Sequence, residues 1–120
     1  MTQKTLTKAD LAQFTGTDQW YRHGLARKVL YTDGVRYVAE AGGAYWLIDE
    51  IAFGQAIPTV AAEDFQAWRL KVNSDQTATL TCGDGNENVV LTKRIEFTDF
   101  PLEEICFYVI DNVLMLPSEY

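Results

Sequence analysis

Phe65-Gln66-Ala67-Trp68-Arg69-Leu70-Lys71-Val72 decides the fold class. Trp68, Leu70 and Val72 fall on one face and Ala67, Arg69 and Lys71 on the other, the period of two expected of a half-buried strand. Asn73-Ser74-Asp75-Gln76 is turn chemistry, and Thr77 to Cys82 alternates again, with threonines outward and Ala78, Leu80 and Cys82 inward. After the turn Gly83-Asp84-Gly85-Asn86 comes a strand from Val89 to Phe97, with Leu91, Ile95 and Phe97 expected inward. Ile105 to Ile110 is apolar on both faces and reads as a central strand. Asp111-Asn112 can turn the chain into Val113 to Leu116, and Pro117 places that last strand at an edge or ends it.

Upstream the period changes. Ala44 to Ala56 is too long for a strand and carries Ala44, Leu47, Ile48 and Ile51 at helical spacing, a stripe that docks a helix on a sheet. Thr7 and Asp10 form a capping-box-like pair at the start of a short helix, whose Leu11 and Phe14 share a face. Between the helices, Asp33-Gly34 flanked by Arg27 to Thr32 and Val35 to Glu40 predicts a type I′ hairpin. Its register pairs Arg27 with Glu40, Val29 with Val38 and Tyr31 with Arg36. Helix, hairpin, helix and then a run of strands predicts one α+β domain over 1–120, with an antiparallel sheet of about five to seven strands and two helices packed on one face.

The net charge of −7 is uneven. Residues 1–36 hold six lysines and arginines against three acids, and residues 37–120 hold four against fourteen. An acidic body repels nucleic acid over most of its surface, so nucleic acid is not expected as a partner. No apolar core follows Lys4 and Lys8, which argues against a signal peptide, and Ile105 to Ile110 is too short to span a bilayer. A cytoplasmic protein with no membrane partner is expected. Cys82 and Cys106 form no C-x-x-C pair and read as reduced, buried thiols.

The single histidine excludes paired-His zinc patterns, and no Walker or G-x-G-x-x-G loop is present. The only serines, Ser74 and Ser118, lie in no nucleophile elbow. Asp84-Gly85-Asn86-Glu87-Asn88 begins like a calcium loop, but Val89 stands where glycine is needed and Ile95 where the bidentate glutamate is needed; it reads as a plain loop. No metal, cofactor or catalytic residue is assigned. His23 reads as a hydrogen-bonded histidine; a couple with Cys82 or Cys106, or a carboxylate neighbour, would be the enzymatic alternative.

Two side-chain sets carry functional readings. Trp46, Asp49, Glu50 and Phe53 form a second helical stripe mixing aromatics with acids, either covered by another segment or a protein-binding face. Arg22, Arg27, Lys28, Tyr31 and Arg36, with Trp20, Tyr21 and Tyr37, interleave cations and aromatics as single-strand binders do.

Five stretches carry a family resemblance: Leu-Ala-Gln-Phe-Thr-Gly-Thr (11–17), Leu-Tyr-Thr-Asp-Gly-Val-Arg-Tyr-Val-Ala-Glu (30–40), Ala-Tyr-Trp-Leu-Ile-Asp (44–49), Asp-Phe-Pro-Leu (99–102) and Leu-Pro-Ser-Glu-Tyr (116–120). Together they resemble a family of small bacterial proteins known only as a domain of unknown function and associated with cyanobacterial and mobile-element genomes. The resemblance covers nearly the whole chain. It implies a complete single-domain bacterial protein and brings no site residues with it. The leading reading is a non-catalytic protein-interaction domain that binds a protein partner or itself as a homodimer. The alternatives are a small nucleic-acid-associated protein, an acidic nucleic-acid mimic and a small enzyme. The ligand stays open.

Overall fold

The computed structural model describes residues 6–86 and 88–120. Residues 1–5, with Lys4 of the basic opening segment, and Glu87 of the 84–88 loop lie outside the described residues. In chain order the elements are α1 (Lys8–Ala12), β1 (Trp20–Arg22), β2 (Leu30–Thr32), α2 (Asp33–Ala41), α3 (Tyr45–Gly54), α4 (Pro58–Ala61), β3 (Phe65–Val72), β4 (Ala78–Gly83), β5 (Val89–Ile95), β6 (Glu104–Ile110) and β7 (Val113–Met115), followed by a 3₁₀ turn at Pro117–Glu119. The fold is α+β, as the strand run predicts. One seven-stranded sheet has the order β1-β2-β7-β6-β3-β4-β5, antiparallel except where β2 meets β7.

The period of two in β3 does what it implies. Trp68 and Leu70 are buried beside Leu80 and Cys82 of β4 and Ile105, Phe107 and Val109 of β6. Onto that face pack Val35, Val38 and Ala39 of α2 and Leu47, Ile48 and Ile51 of α3. Each of the larger side chains contributes roughly 1.5–3 kcal/mol by leaving water. Buried Gln66 ties the end of α3 to the sheet: its side-chain amide and that of Gln55 exchange hydrogen bonds of 2.8 and 2.9 Å, and it accepts the Trp68 indole N–H at 2.9 Å. The Thr7–Asp10 capping box forms, and Leu11 and Phe14 both pack against the core.

The hairpin at Asp33-Gly34 does not form. Leu30–Thr32 is a strand, but it pairs with β1 and β7, and the chain enters helix α2 at Asp33. Thr32 is the N-cap, its hydroxyl accepting the Val35 N–H at 3.4 Å. Val35, Val38 and Ala39 then lie on one buried helical face. The same Thr-Asp-Gly chemistry serves a turn or a helix start, and burial of that stripe decides for the helix. The expected cross-strand pairs are therefore absent; Arg36 pairs instead with Glu40 one helical turn on, at 3.0 Å.

The two-residue turn lies elsewhere. Asp111 and Asn112, at φ of 51° and 63°, join β6 to β7 with both central residues left-handed, as type I′ requires. β6 is central and β7 ends before Pro117, flanked on both sides by strands. Phe97 is a second correction: it is 67% exposed. β5 ends at Ile95, and Thr98 takes the buried position, its N–H bonded to the Gln76 carbonyl at 2.8 Å. α2 and α4 add to the two helices the sequence predicts; Pro58 starts α4 at the position where a missing N–H costs nothing. Among the described residues no helix is long and apolar enough to cross a membrane.

Candidate functional site: a groove beside helix α3

Where the chain leaves β1, His23 turns its ring inward and is only 6% exposed. Its backbone N–H donates to the Val29 carbonyl at 2.9 Å, closing a short loop. The ring Nδ1 accepts the backbone N–H groups of Ala26 at 2.9 Å and Leu25 at 3.2 Å, so this nitrogen carries no proton. Nε2 therefore holds the proton and donates it to Asp49 Oδ1 of α3 at 2.7 Å. Phe53 meets the ring edge-on, with centroids 5.3 Å apart. Both ring nitrogens are therefore engaged, one by the loop backbone and one by the helix carboxylate. The neighbour left open by the sequence is a carboxylate, not a thiol. Cys82 and Cys106 are free, and each sulfur lies against the next residue's carbonyl on its own strand. Burial pushes the Cys82 thiol up to about 12 and raises that of Cys106.

Pinned by His23, the loop faces the C-terminal half of α3 across a groove of about 470 Å³. Leu25, Val29, Ala52, Phe53 and Ala56 line it, with Asn112 of the β6–β7 turn. Leu25 is 78% exposed, the most of any large apolar side chain among the described residues, and Phe53 is 47% exposed. Arg27 and Lys28 also line the groove, and neither reaches a carboxylate within ion-pair distance among the described residues. Beyond Lys28 the surface changes character: an adjoining cavity of about 310 Å³ carries Glu63, Asp64 and Asp111.

The acidic-aromatic stripe is divided in its roles. Phe53 borders the groove, while Trp46 is half-buried and packs against the core. Asp49 is engaged by His23, and Glu50 by Lys93 of β5. The basic-aromatic set is divided as well. Arg27 and Lys28 belong to the groove loop, and Arg22, the last residue of β1, donates through its guanidinium to the Arg27 carbonyl. Tyr31 instead stacks on Tyr21, and Arg36 lies 4.6 Å from the Tyr21 ring centroid. Hydrogen bonds to Tyr21 and Glu40 raise the Arg36 pKa above its ordinary value, and Arg36 holds the Glu40 carboxyl below its own. Sequence reasoning missed Leu25, because a lone leucine between Gly24 and Ala26 has no periodicity to report.

On the far side of α2, the ending Leu116–Tyr120 docks on Thr32–Gly34, so two of the stretches that carry the resemblance meet in space. A family model matches residues 5–120, nearly the whole chain. The chain belongs to the family of unknown function DUF6876. No curated protein matches the chain, and no solved structure does.

Proposed function

We propose that this DUF6876 chain is a single-domain, non-catalytic protein-interaction module whose contact site is the groove between the His23 loop and α3. The supporting observation is that two exposed apolar side chains, Leu25 and Phe53, line one cleft with two cations that have no carboxylate partner among the described residues. Buried anchors within a polar rim are the usual anatomy of a contact surface. The proposal keeps Phe53 from the acidic-aromatic stripe as an anchor and adds Leu25. Trp46 supports α3 from the core side, and Asp49 and Glu50 hold the helix to its neighbours rather than reaching a partner. Composition supports a cytoplasmic location, and the resemblance supports a bacterial setting in cyanobacterial or mobile-element genomes.

The loop site is favoured over a nucleic-acid platform because Tyr31 and Arg36 are occupied by Tyr21 and Glu40. The engagement of both His23 nitrogens favours it over an enzyme. Affinity capture from the native host, with the double variant Leu25→Ser/Phe53→Ser as control, tests the proposal. A protein retained by the wild type and lost by the folded variant is expected. Identical retained sets would remove the reading.

A further inference from the structure

If the groove binds protein, its chemistry asks for an apolar side chain flanked by acids, and the chain carries one. Phe97, 67% exposed, stands between Glu96 and Asp99, both exposed. The side chain is not at the tip of a loose loop. The next residue, Thr98, is buried, with its N–H on the Gln76 carbonyl and its hydroxyl accepting the Phe100 N–H at 3.1 Å; Phe100 itself is 5% exposed. An aromatic held outward on a segment pinned at both following positions loses little freedom on docking.

The two surfaces are opposite in charge, and the groove has room for the plug. A cleft of about 470 Å³ with Val29, Ala52 and Ala56 along it has room for a benzyl side chain. Arg27 and Lys28, without a carboxylate partner among the described residues, are the cations this groove offers to Glu96 and Asp99. In a chain of net charge −7, a contact between copies has to bring the few free cations to acids, and this one does. We infer that a second copy of this chain occupies the groove, with Phe97 of one molecule between Leu25 and Phe53 of the next.

The topology keeps plug and groove apart within one copy. β6 runs from Glu104, beside the Phe97 segment and the β3–β4 turn, to Ile110, beside Asn112 at the groove. Plug and groove therefore lie toward opposite ends of β6. Each copy gives one plug and takes one, in a reciprocal pair, a larger ring or an open chain. A single aromatic anchor makes a small interface, so the association is weak and concentration-dependent.

The inference rests on the groove reading, and the experiment separates the two. Sedimentation velocity of the full chain between about 10 μM and 1 mM, the range for weak contacts, should show an average mass that rises above the monomer with concentration and falls with added salt. The charge-reversed variants Arg27→Glu/Lys28→Glu and Glu96→Lys/Asp99→Lys should each weaken the association about ten-fold or more, since like charges then oppose each other. Mixed in equal amounts they should regain it, because each offers the matching half to the other. Phe97→Ser should lose it alone. A wild type that stays monomeric throughout, or variants whose mixture fails to recover, overturns the inference. An acetylated peptide of residues 94–101, titrated by NMR, tests the groove itself. Shifts at the Leu25 and Phe53 amides with a monomeric wild type keep the groove and remove the second copy. No shifts and no association remove both.

Discussion

The Glu119 carboxylate accepts the backbone N–H of Gly34 at 3.2 Å, joining residues 85 positions apart. Its other oxygen accepts the Thr32 hydroxyl at 2.6 Å and the Leu116 N–H at 2.9 Å. An anion at the start of α2 satisfies unpaired N–H groups and complements the helix dipole. The approach is close: a Cβ on Gly34 would lie 2.6 Å from Glu119 Oε1 and 2.7 Å from Leu116 Cδ1, so those side-chain ends would have to move to admit one.

Gly34→Ala should therefore cost about 1–3 kcal/mol in urea titration, as overpacking does. Gly34 is not among the positive-φ glycines, so the loss comes from crowding and not from a strained turn. Part of it should disappear in the Glu119→Ala background, which removes half of the collision. Full additivity in the double-mutant cycle would mean that the two residues do not touch.

Acid should weaken the same helix start through Asp33. Its carboxylate accepts the N–H groups of Asp18 at 3.1 Å and Gln19 at 3.4 Å and the Tyr21 hydroxyl at 3.0 Å. The hydrogen bond from the Asp18 N–H is the main cause holding its pKa below the ordinary 3.8. A depressed carboxyl contributes stability above its unfolded-state pKa, and that contribution is lost as pH falls through the folded-state value. Asp33→Asn should lower stability at neutral pH and flatten the acid limb of the stability curve below about pH 4. An unchanged acid limb would show that those bonds are not made.

Replacing His23 tests the loop. His23→Ala leaves the Leu25 and Ala26 N–H groups without their acceptor and should cost about 1–3 kcal/mol. Hydrogen exchange at those two amides should accelerate more than at the β3–β6 ladder. Asp49→Ala should cost less, since that carboxylate is half-exposed. Unaltered exchange at Leu25 and Ala26 would dissociate the imidazole from the loop.

The thiols should be inert in the folded chain. With Cys82 held near 12 and Cys106 raised by burial, little thiolate forms at pH 8, and a thiol reagent should label both only after unfolding. Reductant should leave the melting temperature unchanged. A drop of several degrees would point instead to a disulfide, which typically adds about 2–4 kcal/mol.

The β half of the fold was legible from residue order because alternation in Phe65–Val72 and Ala78–Cys82 records burial directly, one side chain at a time. The α3 stripe was legible for the same reason at helical period. Phe97 was not, because alternation says which side a residue takes only while the strand lasts, and β5 stops two residues earlier. The site divided similarly. Phe53, Arg27 and Lys28 stood out by type, whereas their union with Leu25 depends on a loop that His23 folds against a helix 26 residues away.

Asp33-Gly34 marks where sequence alone stopped. Thr32-Asp33-Gly34 is compatible with a type I′ turn and with a capped helix, since both need short polar side chains and a permissive glycine. Local preferences of this kind differ by only about 1 kcal/mol. The tertiary structure decided, by burying Val35, Val38 and Ala39 on one face and by bringing Glu119 to the helix start. At Asp111-Asn112 the outcome is the other one, because two strands of the same sheet flank the pair and no helix-spaced apolar stripe follows it. Residue types determined which conformations each segment could adopt. Contacts between segments far apart in the chain determined which one it took, because only they remove enough apolar surface from water to outweigh a local preference.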